Sequence, residues 1–131
     1  MELKPLALII EDNEDLNAIF SSALEKAGYS VKSVFDGMAA QKFLAEIVPA
    51  IVILDLHMPG ISGAVVLKHI RSDDRLKNIR VIVATADAAS ADALQFKPEL
   101  VLLKPISFSQ LSQLASRFAP KPDSPAEEPE K

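Results

Sequence analysis

The sequence predicts a single α/β domain in which a mainly parallel β-sheet is covered by helices on both faces. Short apolar segments alternate along the chain with segments in which apolar residues recur at helical spacing. Three apolar segments are continuous, which is typical of strands buried on both faces, as in parallel sheets. Strands that alternate with helices are joined by right-handed crossovers. The chain has 131 residues, which fits one domain of ordinary size and not two.

Five apolar segments are the predicted strands: LALII (6–10), YSVKSVF (29–35), AIVIL (50–54), RVIVA (80–84) and ELVLL (99–103). Polar residues follow four of them: Glu11 and Asp12, then Asp55, then Thr85, then Lys104. The carboxyl ends of parallel strands lie on one edge of the sheet, where doubly wound folds bind their ligands. We therefore expect three acids, a hydroxyl and an amine to converge at that edge.

Helical patterns fill the connections between these strands and follow the last one. Gly28 closes the first pattern and Pro49 stops the second. SADALQF (90–96) is a weak pattern, so the fourth helix is expected to be short or irregular. Ser107 is the predicted N-cap of the last helix, in a capping-box pattern. The predicted buried positions are Leu16, Ile19, Phe20, Ala23, Leu24 and Ala27; Ala40, Phe43, Leu44 and Ile47; Gly63, Val66, Leu67 and Ile70; Ala89, Ala93 and Phe96; and Leu111, Leu114, Ala115 and Phe118.

Composition excludes several classes of function. The net charge is −4 and no basic cluster occurs, so direct nucleic-acid binding is disfavoured. The absence of cysteine excludes disulfides, thiolate metal sites and cysteine nucleophiles. No signal peptide or membrane-spanning segment is present, so we expect a cytoplasmic protein without a membrane partner. The last stretch, APKPDSPAEEPEK (119–131), is rich in proline and acid, and predicts a disordered tail after a domain at residues 1–118.

A metal site is predicted from the three acids. Carboxylates that lie a few ångströms apart repel one another unless a cation neutralises them or some stay protonated. Mg²⁺ prefers oxygen ligands, so one or two carboxylates, a backbone carbonyl and a phosphate oxygen would suit it. Lys104 and Thr85 then have a role as ligands of an anionic group.

Taken singly, each of these residues has an ordinary structural interpretation. Glu11 and Asp12 precede a helix, where the helix dipole favours acids. Asp55 is placed like the acid of the second motif of P-loop proteins, but the sequence contains no G-x-x-x-x-G-K-[ST]. Thr85 is a common strand residue, and Lys104 could be a solvated lysine. The residues indicate a single site only when they are taken together.

Taken together, these motifs resemble the receiver domain of two-component response regulators. IIED (9–12) is similar to the acidic pair after the first strand and VILDLHMPG (52–60) to the phosphoacceptor segment. VIVATA (81–86) is similar to the switch-threonine segment and LLKP (102–105) to the lysine motif. The resemblance covers residues 6 to about 118 in order. It implies a flavodoxin-like doubly wound sheet of five parallel strands in the order 2-1-3-4-5.

The resemblance also implies roles for the residues of the site. Asp55 would be the phosphoacceptor, and Asp12 with Asp55 would ligate Mg²⁺ while Glu11 helps through water. The backbone carbonyl of His57 would be a further ligand. Thr85 and Lys104 would contact phosphoryl oxygens.

The residues next to Asp55 and Thr85 would complete the phosphoryl site. The amides of Leu56 and Ala86 would donate to the phosphoryl group, and the resemblance implies a cis bond between Lys104 and Pro105. His57 and Asp87 would border the approach of the hydrolytic water and modulate the phosphoryl lifetime.

One position departs from the family pattern. Val101 stands where receivers usually carry the tyrosine or phenylalanine whose rotation reports phosphorylation, so aromatic signalling is not expected. The segment from Thr85 to Lys104 is also short and contains Pro98, which disfavours helix at the preceding residue. No effector domain follows the last helix, so we expect a free-standing regulator or a piece of a longer protein.

The leading hypothesis is a signalling domain and not an enzyme. It would accept a phosphoryl group from a sensor histidine kinase or a phosphotransfer protein and act on a downstream protein by contact. The alternative is a receiver-like interaction module whose output does not depend on phosphorylation. An aspartate-nucleophile phosphatase is a more distant possibility, because such enzymes usually carry D-x-D and Asp55 is followed by Leu56 and His57.

Overall fold

A computed structural model describes residues 3–120, and within that range the chain forms five strands and five helices in strict alternation. The strands are β1 (Leu6–Ile10), β2 (Ser30–Val34), β3 (Ile51–Leu54), β4 (Arg80–Thr85) and β5 (Leu100–Leu103). They form one parallel sheet in the order β2-β1-β3-β4-β5. The predicted flavodoxin-like topology is therefore confirmed.

The helices cover both faces of the sheet, as predicted. They are α1 (Glu14–Lys26), α2 (Gly37–Leu44), α3 (Gly63–Ser72), α4 (Ala88–Asp92) and α5 (Phe108–Arg117). Two apolar clusters separate the sheet from its helices. One joins strand residues to α1 and α5 through side chains such as Phe20 and Leu111, and the other joins them to α2, α3 and α4. β1 and β3 are buried almost completely because helices cover them on both sides.

The buried face of α1 differs from the predicted one. Phe20, Ala23 and Leu24 are buried as expected, but Ile19 is 43% exposed and Asn17 is buried instead. The helix is therefore rotated so that an amide side chain, and not an isoleucine, faces the sheet near its first turn. The amide finds hydrogen-bond partners there, which offset the cost of burying a polar group.

The second and fourth helices also correct the predicted pattern. α2 ends at Leu44 with Ala45 as its C-cap, so Ile47 lies beyond the helix and is 42% exposed. α4 is short, as predicted, with only five residues. Its segment buries Ala91 and Leu94, whereas the sequence pattern assigned the buried face to Ala89, Ala93 and Phe96. Ala89 and Ala93 are exposed and Phe96 is partly buried, because one helical turn holds too little apolar surface for spacing to fix its orientation.

The predictions for α3 hold, and those for α5 hold in part: Leu111 and Ala115 are buried, whereas Leu114 and Phe118 are only partly buried and Ser112 is buried instead. Gly63, Val66, Leu67 and Ile70 are buried on α3, and Ser107 caps α5 by accepting a hydrogen bond from the Gln110 amide. Among residues 3–120, no helix has both the length and the apolar character needed to cross a membrane. Most of the predicted tail, residues 121–131, lies outside the described residues.

Candidate functional site

The carboxyl ends of the strands bring the predicted site residues to one edge of the sheet. Glu11 and Asp12 follow β1, and Asp55 follows β3, the strand next to β1. Each of these three acids offers a carboxylate oxygen within 4.8 Å of the others. The cluster arises because parallel pairing aligns Ile10 with Leu54, so that β1 and β3 end at the same level of the sheet. Three oxygen donors this close together can hold a hard divalent cation.

Glu11 is the most deeply buried of the three acids, with 1% of its surface exposed. One carboxylate oxygen, Oε1, accepts a hydrogen bond of 2.8 Å from Lys104 Nζ, and the other accepts one of 3.1 Å from the Asn13 amide. Burial raises the pKa of Glu11, while Lys104 and the Asn13 amide oppose this rise. Glu11 is thus held in place and already has a cationic partner.

Asp55 is also buried, with 5% of its surface exposed. Its Oδ1 accepts a hydrogen bond of 3.2 Å from the His57 amide and lies 3.7 Å from Lys104 Nζ. Burial raises the pKa of Asp55, Lys104 and the His57 amide lower it, and the neighbouring Asp12 raises it again. The carboxylate therefore stands in a partly dry site with acidic and basic neighbours, and this environment favours binding of a cation.

Thr85 and Lys104 complete the edge on the other side of Asp55. Thr85 is fully buried at the end of β4, and its carbonyl accepts a hydrogen bond of 2.8 Å from the Lys104 amide. Its hydroxyl Oγ1 accepts a bond of 3.1 Å from the Asp87 amide. The Lys104–Pro105 peptide is cis, as predicted.

His57 and Asp87 form a side-chain contact between two loops at the carboxyl ends of the strands. His57 Nε2 lies 3.3 Å from Asp87 Oδ2, and both side chains are substantially exposed. Asp87 also caps α4, since its carboxylate accepts bonds from the amide and the hydroxyl of Ser90. These bonds from Ser90 lower the pKa of Asp87. The contact joins the loop after β3 to the loop after β4.

The remaining predicted site residues differ in their surroundings. Leu56 is buried directly after Asp55, whereas Ala86 is exposed directly after Thr85. Val101 lies on the edge strand β5, where it pairs with Val83, and is 40% exposed. It is therefore a surface residue of the sheet edge and not part of the carboxylate cluster.

Gly63 and Asn17 were not identified as site residues from the sequence. A Cβ added at Gly63 would lie 2.1 Å from the carbonyl oxygen of Asp55, so only glycine lets α3 start this close to the end of β3. Asn17 donates to the carbonyls of Glu11 and Val34. Gly63 was assigned to an apolar helix face, and Asn17 carried no pattern, because both roles depend on contacts with distant strand ends.

Comparisons with known proteins agree with this fold and site. Residues 7–116 match the family described as response regulator receiver domain. The polar-differentiation response regulator DivK of Brucella anthropi is 33% identical over 103 residues, which cover 76% of this chain and 84% of DivK. The DNA-binding dual master transcriptional regulator RpaA of Synechocystis is 34% identical over 91 residues, which cover 70% of this chain but only 38% of RpaA.

Solved structures of receiver domains have a similar fold. The signal receiver domain of a putative Luxo repressor protein from Vibrio parahaemolyticus is similar with a TM-score of 0.78 and 30% identity, covering 88% of this chain and 90% of that one. The family match extends from within β1 to the end region of α5 and so includes every strand end that contributes to the cluster. Proteins of this family are signalling domains and not classical enzymes. The chain belongs to the response regulator receiver domain family.

Proposed function

We propose that this chain accepts a phosphoryl group on Asp55 in a Mg²⁺-dependent reaction and transmits the signal to another protein by contact. The observation that carries the proposal is the buried Asp55 carboxylate, which lies beside Glu11 and Asp12 and 3.7 Å from Lys104 Nζ. The donor would be the phosphohistidine of a sensor histidine kinase or a phosphotransfer protein. An Asp55 oxygen forms a bond to phosphorus, the P–N bond to the imidazole breaks, and the imidazole leaves with a proton.

The donor set fits the cation. Carboxylate oxygens are the hard ligands that Mg²⁺ prefers, and the cluster offers three of them within 4.8 Å of one another. Asp12 and Asp55 would bind the cation directly, Glu11 through water, and the backbone carbonyl of His57 would add a further oxygen. When bound, Mg²⁺ offsets the negative charge of the carboxylates and of the phosphoryl oxygens.

The basic and hydroxyl groups would hold the phosphoryl group. Lys104 Nζ, now 2.8 Å from Glu11, would pair with one phosphoryl oxygen. The Thr85 hydroxyl would donate to another, since accepting from the Asp87 amide leaves its proton free. The backbone amides of Leu56 and Ala86 would add two donors, and charge-assisted bonds of this kind favour the charge that develops during transfer.

The remaining parts of the proposal concern the setting of the reaction. We place it in the cytoplasm, with a downstream protein as the target. We expect no direct nucleic-acid binding by this domain, because the chain is acidic and has no basic cluster. The His57–Asp87 contact joins the loops that follow β3 and β4, and would slow the water that hydrolyses the aspartyl phosphate. A polar-differentiation response regulator such as DivK and a DNA-binding regulator such as RpaA are both compatible settings for the domain.

Incubation with acetyl phosphate and Mg²⁺, followed by intact-mass measurement, tests the proposal. The wild-type chain should gain one phosphate, and removal of Mg²⁺ with EDTA should prevent the gain. Asp55→Asn should remain unlabelled, whereas the matched control Asp74→Asn, at an acid whose side chain is 97% exposed, should label normally. Failure of the wild type to gain phosphate would favour the phosphorylation-independent interaction module instead.

A further inference from the structure

We propose that Asn17 is a positioning residue for the metal-binding acids, and that it sets the Mg²⁺ affinity of the site through the backbone of Glu11. This inference rests on the proposed function, since it concerns the same cation. Asn17 is 2% exposed and lies on the face of α1 that packs against the sheet. A buried side-chain amide is unfavourable unless its donors and acceptor find partners.

Both donors of the amide have partners at the ends of neighbouring strands. Asn17 Nδ2 donates one bond of 3.0 Å to the carbonyl of Glu11 and another of 3.0 Å to the carbonyl of Val34. Val34 is the last residue of β2, and Glu11 directly follows β1. The β1–β2 ladder continues at this level through a bond of 3.3 Å from the Glu11 amide to the Val34 carbonyl. One side chain thus secures both strands where they leave the sheet.

The acceptor of the amide is also occupied. The Ser21 hydroxyl donates to Asn17 Oδ1 over 3.2 Å and lies 2.8 Å from the Ser33 hydroxyl on β2. Because the Ser21 proton points to Asn17, the proton shared by the two serines belongs to Ser33. The two carbonyls can only accept hydrogen bonds, so they fix Nδ2 as the end of the amide that faces them, while Ser21 satisfies Oδ1 at the other end.

The Glu11 carbonyl belongs to the peptide that joins Glu11 to Asp12. Fixing this peptide plane fixes the direction in which each of the two acids leaves the backbone. The Glu11 carboxylate turns into the protein toward Lys104, while Asp12 remains exposed beside Asp55. Without Asn17, the peptide would be free to rotate toward water, and the three carboxylates would lose their preset spacing. Residues that orient metal ligands affect affinity strongly even though they do not touch the ion.

The test is calorimetric titration of unphosphorylated protein with Mg²⁺, which does not depend on phosphoryl transfer. Asn17→Ala should weaken Mg²⁺ binding by about tenfold or more, as is typical when a group that orients a metal ligand is removed. Ser21→Ala is the matched control, because it removes a member of the same network but leaves both bonds from Nδ2 to the strand ends. It should lower thermal stability and leave the Mg²⁺ affinity unchanged.

A second variant and a second readout keep the test decisive. If Asn17→Ala does not fold, Asn17→Ser provides a smaller polar replacement that still loses the pair of hydrogen bonds from Nδ2 to the Glu11 and Val34 carbonyls. The second readout is the rate of acetyl phosphate labelling at increasing Mg²⁺ concentration. In the Asn17 variant, the Mg²⁺ concentration that gives the half-maximal rate should be higher than in the wild type. The rate at saturating Mg²⁺ should change little.

The outcomes separate this inference from the proposed function. Wild-type affinity in folded Asn17 variants would overturn the role of Asn17 and leave the phosphoacceptor proposal intact. Weakened binding together with an unlabelled wild type would support Asn17 and overturn the phosphoacceptor proposal. Equal loss of affinity in Ser21→Ala would show a general structural effect and would also overturn the inference.

Discussion

Lys104 Nζ forms an ion pair of 2.8 Å with Glu11 Oε1, although these residues follow strands that are not neighbours in the sheet. The pair spans β3 and β4, and both side chains are mostly buried. The lysine thus contacts the acidic cluster and neutralises part of its charge. Binding of Mg²⁺ and pairing with Lys104 are therefore competing ways to stabilise the same carboxylates.

This competition predicts that Lys104→Ala will bind Mg²⁺ more tightly than the wild type. Removing a unit positive charge a few ångströms from the site should lower the dissociation constant by roughly tenfold. Lys26→Ala, at an exposed residue of the last turn of α1, is the control and should bind as the wild type does. Calorimetric titration measures both. Weaker binding by a folded Lys104→Ala protein would show that the lysine supports the cation site and does not compete with it.

Gly63→Ala should distort the segment that carries Asp55. The new Cβ would lie 2.1 Å from the Asp55 carbonyl oxygen and 2.7 Å from Leu56 Cα, so α3 must move away from the strand end. We expect a loss of about 1–3 kcal/mol in the free energy of unfolding, as for other overpacked sites, and slower phosphorylation.

The control for this change is Ala64→Ser, at the exposed neighbouring position. It should alter stability by less than about 0.5 kcal/mol. Urea unfolding and acetyl phosphate labelling measure the two effects. Wild-type stability and labelling in Gly63→Ala would show that the start of α3 has room to shift at no cost.

Alkaline pH should destabilise the protein through Tyr29. This tyrosine is 1% exposed, its hydroxyl donates to the Ala115 carbonyl over 2.9 Å, and burial raises its pKa from 10.0 to about 12. Between these two pH values the unfolded chain releases the phenolic proton while the folded chain keeps it, so stability falls as pH rises. The stabilisation is complete below the unfolded pKa, and its loss amounts to about 2.7 kcal/mol over two pKa units.

Tyr29→Phe removes the titrating group and is the matched variant. It should be less stable by about 1 kcal/mol at neutral pH because the Ala115 carbonyl loses its partner. Its stability should then fall less steeply than that of the wild type between pH 10 and pH 12, the range set by the two pKa values. Urea unfolding across this range decides the matter. Parallel pH profiles of the two proteins would be evidence against the Tyr29 mechanism.

The segment around α4 should change its order upon activation. α4 has five residues, and this segment is secured mainly by Asp87, its N-cap, and by the buried side chains of Ala91 and Leu94. The Thr85 hydroxyl accepts a bond from the Asp87 amide, so a movement of Thr85 toward a phosphoryl group would be passed to the start of α4 through this bond. Because Val101 cannot make the large rotation of an aromatic side chain, we expect the response in the loop and helix.

Hydrogen exchange with and without beryllofluoride and Mg²⁺ measures this response. Amides of residues 86–99 should exchange rapidly in the free protein and more slowly in the activated one. The amides of α3 provide an internal reference that should change little. Strong protection of residues 86–99 in both states would instead indicate a rigid helix.

The sequence was sufficient to predict the sheet. All five strands begin and end within one residue of their predicted bounds, because continuous apolar segments between helices have few other structures available. Helix faces were harder to predict. Spacing identifies a helix but does not fix which face packs against the sheet. Asn17 rather than Ile19 faces the sheet because the carbonyls at two strand ends accept hydrogen bonds from its amide.

The cluster of Glu11, Asp12 and Asp55 followed from strand ends alone, since parallel pairing brings those ends together. The Glu11–Lys104 ion pair and the need for glycine at position 63 could not be predicted from the strand ends. Both depend on how far a side chain or a helix reaches across the edge of the sheet, and this distance is set by packing. The roles of the site residues in phosphoryl transfer remain predictions that experiments on this chain must test.

Localisation of the phosphate tests the central claim most directly. After incubation with acetyl phosphate and Mg²⁺, borohydride reduction converts an aspartyl phosphate into homoserine, which peptide mass mapping assigns to one residue. The account predicts homoserine at position 55 alone, and none when EDTA removes the cation. Homoserine at Asp12 or at another aspartate, with Asp55 unchanged, would contradict it.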